Sequence, residues 1–297
     1  MPYAYRIPRA TLLLIAVALV LPSMPAHAGK QPAPADQMST IQTILHNADL
    51  LAACESGNAT EVRRLLAEGV DPNARRNSGA TALSYAVAGR HVEVVRLLLN
   101  AKADPNRTSF GLAPLFLASE NGDVESIKLL LAAGARVNDR LKAVDQEMKV
   151  RDGDTALMAS ASPGASAAAT RALLAAGADV NAKADNGKTA VMQAVATENV
   201  EVLKALLEAK ADVKGKMAAP EEIDALTLAV GRSRTDMVKL LIAAGADAHV
   251  KIDGEVSLLE FAILSEQPEV AALLRKAGVP EPSAARIAQL RKEAAEP

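Results

Sequence analysis

A five-residue pattern recurs along the chain at a nearly fixed interval, and nothing else in the sequence restricts the fold as much. It reads Gly69-Val-Asp-Pro-Asn73, Lys102-Ala-Asp-Pro-Asn106, Gly134-Ala-Arg-Val-Asn138, Gly177-Ala-Asp-Val-Asn181, Lys210-Ala-Asp-Val-Lys214 and Gly245-Ala-Asp-Ala-His249, with a worn copy at Gly278. The first positions are separated by 33, 32, 43, 33, 35 and 33 residues. A period in this range marks a repeat architecture, in which each unit is one supersecondary element stacked on its neighbours.

The interior of each unit obeys a second rule. Sixteen residues before most of these turns stands a small side chain: Ala53, Ala86, Ala118, Ala194, Ala229 or Ala262, with Ser160 at a distance of 17 in the fourth unit. A small residue there lets a neighbouring helix approach closely. A leucine pair recurs in the second half of each unit, as Leu65-Leu66, Leu98-Leu99, Leu130-Leu131, Leu173-Leu174, Leu206-Leu207 and Leu241-Ile242. Together with Val94 or Ile127 a turn earlier, it makes an apolar stripe at helical spacing. The Gly or Lys that follows falls where the helix ends, a place that favours glycine at positive φ. Asp and Asn then supply the tight turn. One unit buries too little to stand alone, so the seven must stack.

These units resemble the ankyrin repeat, whose signature is TPLHxA, a helix, and then GADVN. Thr81-Ala-Leu-Ser-Tyr-Ala86, Ala113-Pro-Leu-Phe-Leu-Ala118, Thr155-Ala-Leu-Met-Ala-Ser160 and Thr189-Ala-Val-Met-Gln-Ala194 follow the first part in degenerate form. Asn121-Gly122-Asp-Val-Glu-Ser-Ile-Lys-Leu-Leu-Leu131 follows the junction and second helix. The expected fold is all-α: an ankyrin-repeat solenoid of about seven helix-turn-helix units joined by hairpin-like loops. Two departures stand out. The His of TPLH is absent throughout, so its turn hydrogen bonds must be missing or made by other groups. Lys102 and Lys210 replace the turn glycine, at a cost in stability.

The ends divide from the middle. Residues 1–28 read as a secretory signal, with Arg6 and Arg9, an uncharged apolar run from Ala10 to Leu21, and Ala26-His27-Ala28 as the cleavage triplet. The run is shorter than the about 20 residues that span a bilayer. Cleavage after Ala28 and a periplasmic location follow as expectations, with no stable membrane insertion afterwards. Residues 29–38, with two prolines, read as a flexible leader. The repeat domain is expected over residues 39–280. It opens with a helix from Ser39 to Asn47, capped by Ser39 and Gln42, that turns Ile41, Ile44 and Leu45 toward the first repeat. Residues 281–297 form a tail in which Ser283 to Glu296 has a helical pattern.

Composition and charge remove several function classes. Without residues 1–28 the 33 cationic side chains fall to 31 against 35 acidic ones, which argues against a nucleic-acid partner. Aromatics are 2% of the chain, with no Trp, a poor stock for stacking on bases. Cys54 is the single cysteine, so no internal disulfide forms, and it reads as core filler. His46, His91 and His249 fall in separate units, away from metal-ligand spacing. Gly187-Lys188-Thr189 looks like the end of a phosphate loop, but Ala182 stands where the motif needs glycine. Asp152-Gly153-Asp154 lacks the remaining ligands of a calcium loop. No nucleophile elbow or Cys/His arrangement is present. The expectation is a non-catalytic protein without cofactor or metal.

The resemblance implies a protein partner, bound on the hairpin tips and the exposed side of the first helices. Carried over by position, the tip residues are Ser109, Phe110 and Leu112, then Arg151, Asp152 and Asp154, then Asp185, Asn186 and Lys188. The first-helix ends add Glu120, Asn121 and Arg232. Phe110 is either an exposed anchor or a side chain folded onto the neighbouring hairpin. The 43-residue interval adds about ten residues near 139–150, where Leu141, Val144 and Met148 are expected to line one face of a short helix or a lengthened finger that touches the partner. An accessory or protective subunit of an exported enzyme and an immunity protein against a toxin acting in the periplasm fit this reading equally.

Overall fold

The structure is a computed structural model that describes residues 34–142, 152–217, 223–252 and 254–294. Among these residues it holds fifteen helices and one two-stranded ribbon. Unit one pairs the C-terminal part of α1 (Pro34–Glu55) with α2 (Ala59–Ala67). Units two and three are α3 (Ala82–Ala88) with α4 (Val92–Asn100), and α5 (Pro114–Glu120) with α6 (Val124–Ala132). Units four and five are α7 (Ala156–Ala159) with α8 (Ala167–Ala175), and α9 (Ala190–Ala196) with α10 (Val200–Glu208). Units six and seven are α11 (Ala225–Gly231) with α12 (Thr235–Ala243), and α13 (Leu258–Leu264) with α14 (Pro268–Lys276). A final helix, α15 (Ala284–Glu293), closes the stack against α13.

First helices pack on first helices and second helices on second helices from unit to unit, giving an all-α solenoid two helices thick. Its main apolar interior is one cluster running from Leu50 to Val279. The repeating sequence explains why. The leading leucine of each pair (Leu65, Leu98, Leu130, Leu173, Leu206 and Leu241) is fully buried, and its follower is half-buried against the same cluster. Each such leucine contributes about 1.5–3 kcal/mol of apolar burial. The small residues Ala86, Ala118, Ser160, Ala194, Ala229 and Ala262 are also fully buried, where the first helices meet. In unit seven Arg275 replaces the following leucine; it is exposed and ion-paired to Glu281 at 2.7 Å.

Hydrogen bonds at the turns add a rung between successive units. Asn106 Oδ1 accepts the backbone N–H of Arg136 at 2.9 Å, and its Nδ2 donates to the Gly134 carbonyl at 3.1 Å. Asn73, Asn138 and Asn181 grip the next turn in the same way, accepting from Asp104, Asp179 and Asp212 at 2.7–2.8 Å. The signature's missing His is replaced twice. Ser84 Oγ accepts from the Thr81 N–H at 3.0 Å, and the Glu260 carboxylate accepts from the Ser257 N–H at 2.7 Å. Lys102 and Lys210 hold φ at 70° and 64°, the conformation that glycine takes at the equivalent turns.

The N-terminus differs from expectation. Helix α1 begins at Pro34, so it takes in the last five residues assigned to the leader, and Ser39 is no cap. No Gly or Pro interrupts the chain between Ala35 and Glu55, so the extra helix runs on into the first repeat without a break. Ile44 faces solvent, 58% exposed, rather than the first repeat. It lies six residues before the buried Leu50, about 240° around the helix. Leu45 is half-buried, and the Ile41 side chain lies outside the described ones.

Candidate partner-binding surface

Each unit is joined to the next by a finger, a chain reversal that ends at the N-cap of the following first helix. The bridges are Arg75↔Thr81, Ser109↔Leu112, Arg140↔Thr155 and Lys216↔Asp224, and the ribbon pairs Lys251–Ile252 with Val256–Ser257. Thr81, Thr155, Thr189, Asp224 and Ser257 each accept, through a side-chain oxygen, an N–H of the helix they cap. The caps tie the fingers to the rigid stack.

The second finger is the tightest. Ser109 and Leu112 exchange both backbone hydrogen bonds at 2.9 Å, leaving Phe110 and Gly111 as the two-residue turn. Both turn residues have positive φ, 52° and 78°, as a type I′ hairpin requires, and that turn prefers Asn-Gly. A phenylalanine there is strained by about 1 kcal/mol or more. It recovers little of this by packing, because the residue is 54% exposed. Phe110 is therefore an exposed tip and not a side chain folded onto its neighbour.

The other two residues of that finger belong to the scaffold. Ser109 is buried, and its Oγ accepts from the Thr81 N–H at 3.1 Å in the preceding finger. Leu112 packs on a small second cluster formed by Phe116, Leu141 and Ala159. This corrects the reading of Leu141 as a contact residue: it is 5% exposed. Its N–H donates to the Asp154 carbonyl at 2.7 Å, so it plugs the base of the long finger. A cut that includes Leu141 removes a buried side chain, and the finger cannot be deleted from that residue without loss of stability. Val144, Met148 and Arg151 lie outside the described residues.

The acidic and basic tips of the next two fingers pair with each other. Asp154 and Lys188, with side chains 4% and 14% exposed, form an ion pair at 2.9 Å. Arg140 pairs with Asp185 across the same junction, and the Asp152 carbonyl accepts from the Asp185 N–H at 3.0 Å. Asn186 Oδ1 accepts from the Lys188 N–H at 3.0 Å. Asp154 and Lys188 are thus structural, which corrects their assignment to the surface. Charge complementarity between fingers was the cause, and it could have been read from the opposite signs one repeat apart. Asn121 is also partly engaged, its Nδ2 donating to the Val87 carbonyl at 3.3 Å. Glu120 is half-buried beside it, and Arg232 is exposed.

One feature of the surface was not singled out from the sequence. Four residues beyond the N-cap, the first helices of five units present Tyr85, Leu117, Gln193, Leu228 and Phe261, all half-buried, while Ala159 of the fourth unit is buried. The register of the repeat places them in one row, so the first-helix layer offers mainly apolar and amide side chains beside the fingers. Arg76 lies over the Tyr85 ring at 4.8 Å and ion-pairs with Glu55 at 2.7 Å, which links the first finger to this row.

Burial pushes the Cys54 thiol up to about 12, far from a reactive thiolate at neutral pH. Among the described residues, no three His, Cys, Asp or Glu side chains are gathered as a metal site would need. No described helix is long and apolar enough to cross a membrane. A family model described as ankyrin repeats (three copies) matches residues 50–141 and 140–217. The same helical pattern continues past residue 217 through α11 to α14.

Proposed function

The chain belongs to the ankyrin-repeat family, and from that premise we propose that it is a non-catalytic binding protein of the bacterial periplasm. It takes another protein on its fingers and first-helix row. The single observation that supports this most is Phe110. A hairpin that would be more stable with Asn carries an exposed aromatic at its tip, and strain retained without a packing return points to a role in contact. The half-buried row from Tyr85 to Phe261 supplies a broad apolar floor beside it. Export rests on the pattern of residues 1–28.

The test is cross-linking with affinity capture from the envelope fraction, using the full chain and the Phe110→Ala protein. A stoichiometric partner retained by the first and lost by the second supports the reading. Equal capture by both contradicts it. Potent one-to-one inhibition of a co-encoded toxin would identify an immunity protein; association with an exported enzyme that stays active would identify an accessory subunit.

A further inference from the structure

The fingers carry a charge pattern that the binding reading does not use. Where the first strand of a finger bridges the N-cap of the next first helix, the bridging residue is a cation. Arg75 stands opposite Thr81, Arg140 opposite Thr155, Lys216 opposite Asp224 and Lys251 opposite Ser257. Lys183 holds the same register, two residues after Asn181 as Arg75 is two after Asn73. All five are exposed. The chain as a whole carries net −2, so this row is set by position in the repeat and not by composition. One finger departs from the pattern: it has Thr108 at this register, and it is the finger whose tip is Phe110.

We infer that this edge receives an extended acidic segment of the partner protein, with its carboxylates meeting Arg75, Lys183 and Lys251 and an apolar side chain meeting Phe110, while Arg140 in the same row is already held by Asp185. The inference rests on the protein-binding reading and adds the chemistry of the partner. Helices packed in layers lie about 10 Å apart, and an extended strand rises roughly 3.3 Å per residue. One cation per unit therefore matches one carboxylate at about every third residue. Six fingers span about 50 Å, or about fifteen residues of such a segment.

A nucleic-acid strand fits this edge worse. It carries a phosphate about every 3.4 Å, so about three would meet each unit's single cation. The finger bases also bear exposed carboxylates, Asp71, Asp104, Asp179, Asp212 and Asp247, at five of the six fingers, the third having Arg136 there. These repel a continuous polyanion, whereas a peptide can place neutral side chains opposite them.

Fluorescence anisotropy on the purified protein tests the idea with a labelled peptide of about fifteen residues bearing Glu at every third position. The comparison probes are the Gln counterpart and an oligothymidylate of equal length. The Glu peptide is expected to bind at least about tenfold more tightly than either. The triple variant Arg75→Gln/Lys183→Gln/Lys251→Gln is expected to bind it about tenfold more weakly, since exposed pairs contribute about 0.5 kcal/mol each. None of these three cations pairs with a carboxylate among the described residues, so the melting temperature is expected to stay unchanged. Equal affinity for Glu and Gln peptides, tighter binding of the oligonucleotide, or undiminished binding by the variant would overturn the inference. Envelope capture separates the two readings. If the triple variant still retains the native partner and Phe110→Ala does not, the acidic segment is wrong and partner binding stands. If Phe110→Ala also retains it, the binding reading itself fails.

Discussion

Asn181 Oδ1 accepts the backbone N–H of Asp212 at 2.7 Å, and the next unit cannot repeat that bond, because Lys214 stands where asparagine is required. A lysine side chain has no acceptor for the Asp247 N–H. The junction between units five and six therefore lacks a rung that the first four turns possess. Lys214→Asn should restore it and add about 1 kcal/mol, read as a higher denaturant midpoint with an unchanged slope. The reverse change, Asn106→Ala, should lower the midpoint by at least as much, since it leaves the Arg136 N–H and the Gly134 carbonyl without that partner.

The lysines at the turn glycine position give a second stability test. Lys102 and Lys210 sit at φ 70° and 64°, which costs a side-chain-bearing residue about 1–2 kcal/mol. Glycine removes that strain but loses about 0.5–1 kcal/mol of backbone entropy. The strain wins by a narrow margin. Each Lys→Gly variant should gain up to about 1 kcal/mol, measurable by thermal melting.

The finger pair Asp154–Lys188 should behave as a buried ion pair does. Lys188→Ala takes from Asp154, 4% exposed, the ammonium group that it meets at 2.9 Å, and should destabilise by about 3 kcal/mol. Replacing both residues by apolar ones of similar volume should recover most of the loss. If the single variant melts like the parent, the pair is not part of the scaffold.

Acid should loosen the C-terminal end first. The Glu260 carboxylate accepts from the Ser257 N–H at 2.7 Å and from Arg286 of α15 at 3.3 Å. Burial, the largest single influence, pushes its pKa up, but the Ser257 backbone and hydroxyl groups and Arg286 together hold it below its ordinary 4.5. Glu281 is likewise held low by Arg275. A carboxylate whose pKa is depressed by folding stabilises the fold above its unfolded pKa, and the stabilisation fades as the pH falls through the folded one. Glu260→Gln should therefore melt lower than the parent at neutral pH, by about 1–2 kcal/mol. The two should converge as the pH falls through the lowered folded-state pKa of Glu260. A gap that persists in strong acid would contradict this.

The repeat was legible because it is periodic: Leu65, Leu98 and Leu130 return to the same buried place every unit, and one alignment of the chain with itself reveals them all. The start of α1 was not, since nothing in the pattern at Ser39 distinguishes a helix that begins there from one that passes through. The surface was legible only in part. Phe110 stood out by residue type, and its exposure follows from a two-residue turn whose length is written in the sequence. Leu141 and the Asp154–Lys188 pair misled because their partners come from adjacent units, at separations where a single repeat gives no information. The cation row was visible in the same register that found the turns, but opposite signs elsewhere in the fingers hid it in the net charge.

The most direct measurement combines stability and capture in one variant, Phe110→Asn. If the exposed aromatic is held against turn preference for the sake of a partner, the variant should gain about 1 kcal/mol of stability and lose the envelope partner that the parent retains. A variant that melts lower than the parent and still retains the partner would contradict both halves of the account.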